Sequence, residues 1–260
     1  MIMALVAYLL FGMAPLNSEI IFWGILSGVL HGVYILCLSR AYSTADISYV
    51  YPIARSAPVF VPVFAWLVLD EHLHISTFLA IGFILTAIYI LHFEGKLIRG
   101  FVNLMRAFRH QDLRWAFYTL AMVVSYSLVD KKGMDSFLSH LPNQPFANGV
   151  TFFFIEAVIG FALCNLYIFS TSPAKYIFQI WRREWHKAML AGIATLGSYG
   201  LICVVLQFEA LSAIVSLRQV SVLMVVYWGC WKLKEPFGSQ RLIAGGLILI
   251  GIFLISSNSH

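Results

Sequence analysis

Two arginines lie inside long apolar stretches of the chain. Arg55 follows Tyr51 by four positions, so the two share a helix face, and Arg218 lies in the apolar run that precedes Lys232. An arginine at membrane depth is costly unless it is paired or faces water, and its guanidinium can donate parallel hydrogen bonds to a carboxylate. We expect both arginines to line a solute pathway and to bind an anionic or carboxylate group. The alternatives are a structural pair with Glu156 and bonds to backbone carbonyls. The other polar residues predicted for this pathway are Tyr51, Ser216, Gln219 and Ser221.

A further group of pathway candidates centres on Glu156, an acidic residue within the apolar run VTFFFIEAVIG. A buried carboxylate there could carry a coupling proton or form a fixed salt bridge to one of the arginines, and the sequence leaves both open. His31 and Tyr34 are three positions apart on one predicted helix, where they line the same cavity or serve packing. Tyr126 closes another apolar run and is assigned to the pathway. Asp130 follows it and is expected at the membrane interface, with a role as a gate left open.

The chain contains an internal repeat. A shift of 164 positions aligns residues 47–91 with residues 211–255 without a gap. Each copy is a long apolar run, an acidic break and a second apolar run, and such duplications recur in membrane transporters. Glu71 and Glu235 occupy the matching breaks and are predicted to be structural turn residues. Other matched pairs are Ser48 with Ser212, Ala80 with Ala244, Gly82 with Gly246 and Ile84 with Ile248.

The composition indicates an all-α integral membrane protein. Hydrophobic residues make up 60% of the chain and charged residues 11%, and the mean hydropathy is +0.84. Soluble domains carry about 25% charged residues, and roughly 20 apolar residues span a bilayer as a helix. About nine transmembrane helices are predicted, near residues 1–14, 20–38, 47–69, 75–92, 113–129, 149–170, 188–207, 211–233 and 242–255.

The charged residues indicate topology rather than chemistry. Lysines and arginines concentrate in alternate gaps between the apolar runs, which predicts that these gaps face the cytoplasm. The expected location of this multi-pass protein is the plasma membrane, and specifically a bacterial inner membrane. Residues 94–112 are predicted to be a basic amphipathic linker between a first repeat at 1–93 and a second at 113–256. The basic face with interleaved aromatics that nucleic-acid binding needs is missing. No catalytic triad, phosphate loop or metal spacing stands out, so neither an enzyme nor a cofactor or metal site is predicted.

Four motifs extend over nearly the whole chain. They are HGVYILCLSRAYSTADISYVYPIARSAP at 31–58, YSLVDKKGM at 126–134, SLRQVSVL at 216–223 and KEPFGSQRLIAGGLILIG at 234–251. Their order and spacing resemble EamA-type members of the drug/metabolite transporter superfamily. The resemblance implies two inverted five-helix repeats, a central solute pathway and transport without ATP hydrolysis, with small metabolites or drug-like solutes as the expected substrates and alternating access as the mechanism.

The resemblance implies that the chain departs from the family plan at its start, where we expect the first helix of the family to be missing. The alternative interpretation is therefore a non-transporting membrane scaffold, or a truncated subunit that needs a partner. The expected partners are a small-molecule solute and the lipid bilayer, and no nucleic acid. A coupling proton or ion and a homo-oligomeric state are left open.

Overall fold

The computed structural model describes residues 12–44, 50, 53–72, 75–93, 113–218, 221 and 238–256. Within these ranges all regular secondary structure is helical, which confirms the all-α class. The predicted linker at 94–112 lies outside the described residues. The helices are α1 (Ser18–Thr44), α2 (Ala57–Leu69), α3 (Ile75–Phe93), α4 (Arg114–His140), α5 (Pro145–Thr171), α6 (Ala174–Val205), α7 (Leu211–Leu217) and α8 (Gly238–Ser256).

Three helices in the described ranges are long and apolar enough to cross a bilayer, namely α1, α5 and α6. Shorter apolar stretches lie at Ala57–Leu69, Ile75–Ala87 and Leu242–Gly251. Helix α6 has 32 residues, which makes it about 48 Å long, whereas the hydrocarbon core is about 30 Å thick. The basic stretch around Arg182 was predicted to be a gap before a helix at 188, but it forms the first turns of α6. The basic stretch therefore belongs to the same continuous helix as the apolar run that follows it.

One compact unit comprises Met1–Leu36 and Ser125–Phe208. In this unit α1 and α5 approach closely, because a Cβ atom at Gly28 would lie 2.6 Å from the Cβ of Ile159 and only glycine leaves room. Glycines spaced four apart on one helix face allow two helices to approach this closely. The three glycines of α1 that face α5 in this way are Gly24, Gly28 and Gly32.

Two buried amide side chains join the ends of α5 and α6 in the same unit. Asn148 donates from Nδ2 to Oε1 of Gln207 at 2.9 Å, and Gln207 donates from Nε2 to the carbonyl oxygen of Pro145 at 2.9 Å. Both side chains are almost fully buried, and a buried polar group is destabilising unless it is hydrogen-bonded. These bonds therefore fix where the start of α5 meets the end of α6.

The other compact unit comprises Cys37–Val124 and Glu209–His260. Its helices α3 and α8, which correspond in the internal repeat, pack against each other. Matched positions of α3 and α8 are buried or open to the same degree, as expected for two helices related by a repeat. The matched pairs Ala80 with Ala244 and Ile84 with Ile248 are fully buried, whereas a Cβ atom at Gly82 or Gly246 would meet nothing within 4 Å. The predicted domain boundaries and the inversion of the repeats stay predictions.

Candidate functional site

Asp130 is buried inside α4, with 0% of its surface exposed. The hydroxyl of Ser27 donates to its Oδ1 at 2.5 Å, and the hydroxyl of Tyr199 donates to its Oδ2 at 2.5 Å. Hydrogen bonds to a charged group contribute roughly 1.5–3 kcal/mol each, which offsets part of the cost of removing a carboxylate from water. These bonds tie Asp130 to both α1 and α6.

Glu156 on α5 is 4% exposed and contacts His31. Its Oε1 lies 3.3 Å from Nδ1 of the imidazole. The same Nδ1 lies 3.1 Å from the carbonyl oxygen of Ser27 and 3.2 Å from its hydroxyl. Because a carbonyl oxygen only accepts hydrogen bonds, Nδ1 carries the hydrogen. The hydroxyl of Ser27 accepts from His31 and donates its own hydrogen to Asp130. Ser27 therefore links the imidazole of His31 to the carboxylate of Asp130.

Aromatic rings surround the imidazole. Tyr126 stacks on His31 with ring centroids 3.8 Å apart, and Tyr199 meets it edge-on at 5.2 Å. Tyr34 in turn packs edge-on against Tyr126 at 5.6 Å. Aromatic rings carry a negative face that attracts cations, and their bulk limits access of water. The surroundings therefore favour a cation or a polar group that is shielded from bulk solvent.

Helical spacing explains how these side chains meet. Ser27 and His31 are four positions apart on α1, and Tyr126 and Asp130 are four apart on α4, so each pair shares a helix face. Helix α5 supplies Glu156, which the glycines of α1 allow to come near, and α6 supplies the hydroxyl of Tyr199. We call His31, Asp130 and Glu156 the histidine–carboxylate cluster. All three belong to the unit formed by Met1–Leu36 and Ser125–Phe208.

The cluster is compact enough to hold a cation. One ring nitrogen of His31 and one oxygen from each of the two carboxylates all lie within 4.8 Å of one another. These are the atom types that bind metal ions in proteins. The three side chains come from three different helices, so only the fold brings them together.

Four of the predicted pathway residues meet at this site, namely His31, Tyr34, Tyr126 and Glu156. Asp130, expected at the membrane interface, lies within α4, which continues to His140, and it is fully buried. Its depth in the membrane stays a prediction. Its spacing of four from Tyr126 is the sequence signal that could have identified it. Ser27 carries the same signal relative to His31. Nothing in the local sequence marks Tyr199, because its partner is 69 positions away.

The remaining described pathway candidates belong to the unit formed by Cys37–Val124 and Glu209–His260. Arg55 is half-buried, and Arg218 is half-buried directly after α7. The carbonyl oxygen of Arg218 accepts from the hydroxyl of Ser221 at 2.9 Å. Ser216 is buried and donates to the carbonyl oxygen of Ser212 at 2.9 Å. That these four residues line a solute pathway stays a prediction. The candidates Tyr51 and Gln219 lie outside the described residues.

Glu71 caps the start of α7. Helix α2 ends at Leu69, and the left-handed backbone of the next residue, Asp70 (φ 56°), turns the chain. The carboxylate of Glu71 then accepts from the backbone N–H of Leu211 at 2.6 Å and from the hydroxyl of Ser212 at 2.6 Å. A carboxylate there satisfies amide groups that a helix leaves unpaired at its first turn. Glu71 therefore stabilises the first turn of α7. Its repeat counterpart Glu235 lies outside the described residues.

The fold and the cluster define a class, an all-α multi-pass membrane protein with ionisable side chains buried among apolar helices. Residues 1–93 match the model of the EamA-like transporter family. This match confirms the resemblance drawn from the motifs and is consistent with a transporter of the drug/metabolite type. No curated protein matches the chain. The matched stretch includes His31, Arg55 and Glu71, whereas Asp130 and Glu156 lie beyond it.

Proposed function

We propose that this protein moves a small metabolite or drug-like solute across the plasma membrane, with a bacterial inner membrane as its setting. The observation that carries the proposal is the histidine–carboxylate cluster. Ionisable side chains within membrane-spanning helices are costly, and in transporters they mark solute and ion pathways. The match of residues 1–93 to the EamA-like transporter family supports the same function.

The mechanism that we propose is alternating access. The internal repeat supports it, because repeats of this kind allow one part of a transporter to rock against the other around a central site. The repeated runs 47–69 and 211–233 are the parts proposed to move. The gradient of an ion or of a second solute supplies the driving force. Arg55 and Arg218 are proposed to bind an anionic or carboxylate group of the solute, because guanidinium groups donate paired hydrogen bonds.

Solute exchange in vesicles tests this proposal. The purified protein is reconstituted into liposomes and assayed with a panel of labelled amino acids, organic acids and cationic drugs. For at least one solute, unlabelled solute inside the vesicles should accelerate entry of the labelled form, because alternating access returns a loaded site faster than an empty one. Uptake that internal solute does not accelerate would contradict alternating access. Vesicles without protein provide the baseline for leakage.

A further inference from the structure

We propose that His31, Asp130 and Glu156 together bind one divalent transition-metal cation. Their three ligand atoms already lie within 4.8 Å of one another. Bonds from such an ion to nitrogen and oxygen are about 2.0–2.2 Å long, so two ligands at tetrahedral angles are about 3.4 Å apart. Side-chain movements of about 1–1.5 Å, roughly the difference between these spacings, bring the three atoms into a common coordination sphere.

The types of ligand atom select the class of ion. An imidazole nitrogen with two carboxylate oxygens suits Zn²⁺, Mn²⁺, Co²⁺ or Fe²⁺, whereas Mg²⁺ and Ca²⁺ prefer ligands that are all oxygen. Two ionised carboxylates also match the charge of one divalent cation, which matters where charges are removed from water. Three protein ligands leave a position for water or for a solute group. The cluster therefore fits a site that binds its ion reversibly.

Hydrogen bonds outside the cluster orient the ligands. The hydroxyls of Ser27 and Tyr199 hold the two oxygens of Asp130. The carbonyl oxygen of Ser27 accepts from Nδ1 of His31, so Nε2 is the nitrogen that would bind the ion. Partners of this kind hold metal ligands in position and typically change metal affinity by about 10–100-fold when they are removed. Sites built from side chains on facing helices are common in helix bundles.

This inference rests on the proposed function for its physiological meaning, because the ion would occupy the solute pathway and be carried or coupled there. The spacing along the chain predicted no metal site, since the ligands stand on three helices far apart in sequence. Ion binding can be measured with no solute present. A failure of ion binding and a failure of transport are therefore separate results.

Cobalt binding to the purified protein tests the inference. The full chain, without a polyhistidine tag, is treated with a chelator in detergent and titrated with Co²⁺, whose visible absorption reports its coordination. We expect about one Co²⁺ per chain, as for a single structural or catalytic site, and displacement of the band by Zn²⁺ but not by Mg²⁺. A wild-type protein that shows no such band would overturn the inference, and this result depends on no variant.

Variants then locate the site. Affinity for Co²⁺ should fall at least about tenfold in His31→Asn, Asp130→Asn and Glu156→Gln, and about tenfold in Ser27→Ala. Asp135→Asn and His140→Asn are the matched controls, because Asp135 is 44% exposed on the same helix and His140 is exposed at its end. Equal losses in the controls, or binding unchanged in all three ligand variants, would overturn the assignment. Size-exclusion elution confirms that each variant is folded, and Zn²⁺ should raise the Tm of the wild-type protein.

Discussion

The backbone oxygen of Glu156 lies only 2.8 Å from the position that a Cβ atom would take at Gly28. The absence of a side chain at Gly28 therefore determines how near α5 stands to α1. Because His31 lies one helical turn beyond Gly28, the same approach sets the 3.3 Å distance between His31 and Glu156. Helix packing and the geometry of the cluster thus both depend on Gly28.

Gly28→Ala should destabilise the protein, because the new methyl group would overlap backbone and side-chain atoms of α5. We expect the Tm in detergent to fall, with a loss of about 1–3 kcal/mol as for other overpacked helix contacts. The matched control is Gly82→Ala, where a Cβ atom meets nothing within 4 Å. Alanine favours helix over glycine by roughly 0.5–1 kcal/mol, so the control should leave the Tm unchanged or raise it. Equal falls in both variants would contradict the packing role.

Glu71→Gln should weaken the start of α7, because an amide offers one acceptor oxygen where the carboxylate offers two charged ones. The expected loss is about 1–3 kcal/mol, the usual cost of removing a charged hydrogen-bond partner. Thermal unfolding of the purified protein measures it. Glu19→Gln is the control, since this carboxylate is exposed on α1. A Glu71→Gln variant as stable as Glu19→Gln would show that the cap contributes nothing.

Asn148 and Gln207 should be energetically coupled, because shortening either one to alanine removes the hydrogen bond between them. Each single variant should lose about 1–3 kcal/mol. The double variant should lose less than the sum by roughly 0.5–3 kcal/mol, the range found for residues in contact. A double-mutant cycle measured by thermal or denaturant unfolding gives this coupling. Strictly additive losses would mean that the amides stabilise the helix ends independently.

Arg218→Ala should abolish transport while the protein still reaches the membrane, because the variant removes the guanidinium proposed to bind the solute. Arg218→Lys keeps the charge but loses the paired donors, so it should retain only part of the activity. Arg182→Ala is the control, since it removes an exposed guanidinium on α6 that is not assigned to the pathway. Solute exchange per unit of reconstituted protein is the measurement. Full activity in Arg218→Ala would remove this residue from the pathway.

Much of the helical fold could be predicted from the sequence, because the length of an apolar run is a local signal. The apolar runs identified the helical class. Helix ends were less predictable. The basic residues near Arg182 suggested a gap, yet α6 runs through them, since a long helix can leave the bilayer without breaking. Polar residues alone do not end a helix.

The site could be predicted only in part. His31, Tyr126 and Glu156 were identified because polar side chains in apolar runs are conspicuous. Asp130 was not assigned to the pathway because it precedes two lysines and resembles the end of a span, whereas α4 continues beyond it and buries it. Tyr199 was missed because its hydrogen bond to Asp130 joins two helices far apart in sequence. Contacts of that kind follow from tertiary packing, which local patterns do not encode.

The histidine–carboxylate cluster is proposed to lie on the transport pathway. The most direct test of this proposal compares exchange of the same solute by Asp130→Asn and Asp135→Asn in liposomes, with protein amount and folding matched. Loss of a buried charged contact worth about 1.5–3 kcal/mol should slow exchange by roughly 10–100-fold in Asp130→Asn, while Asp135→Asn should exchange at the wild-type rate. Equal rates in the two variants would contradict the claim.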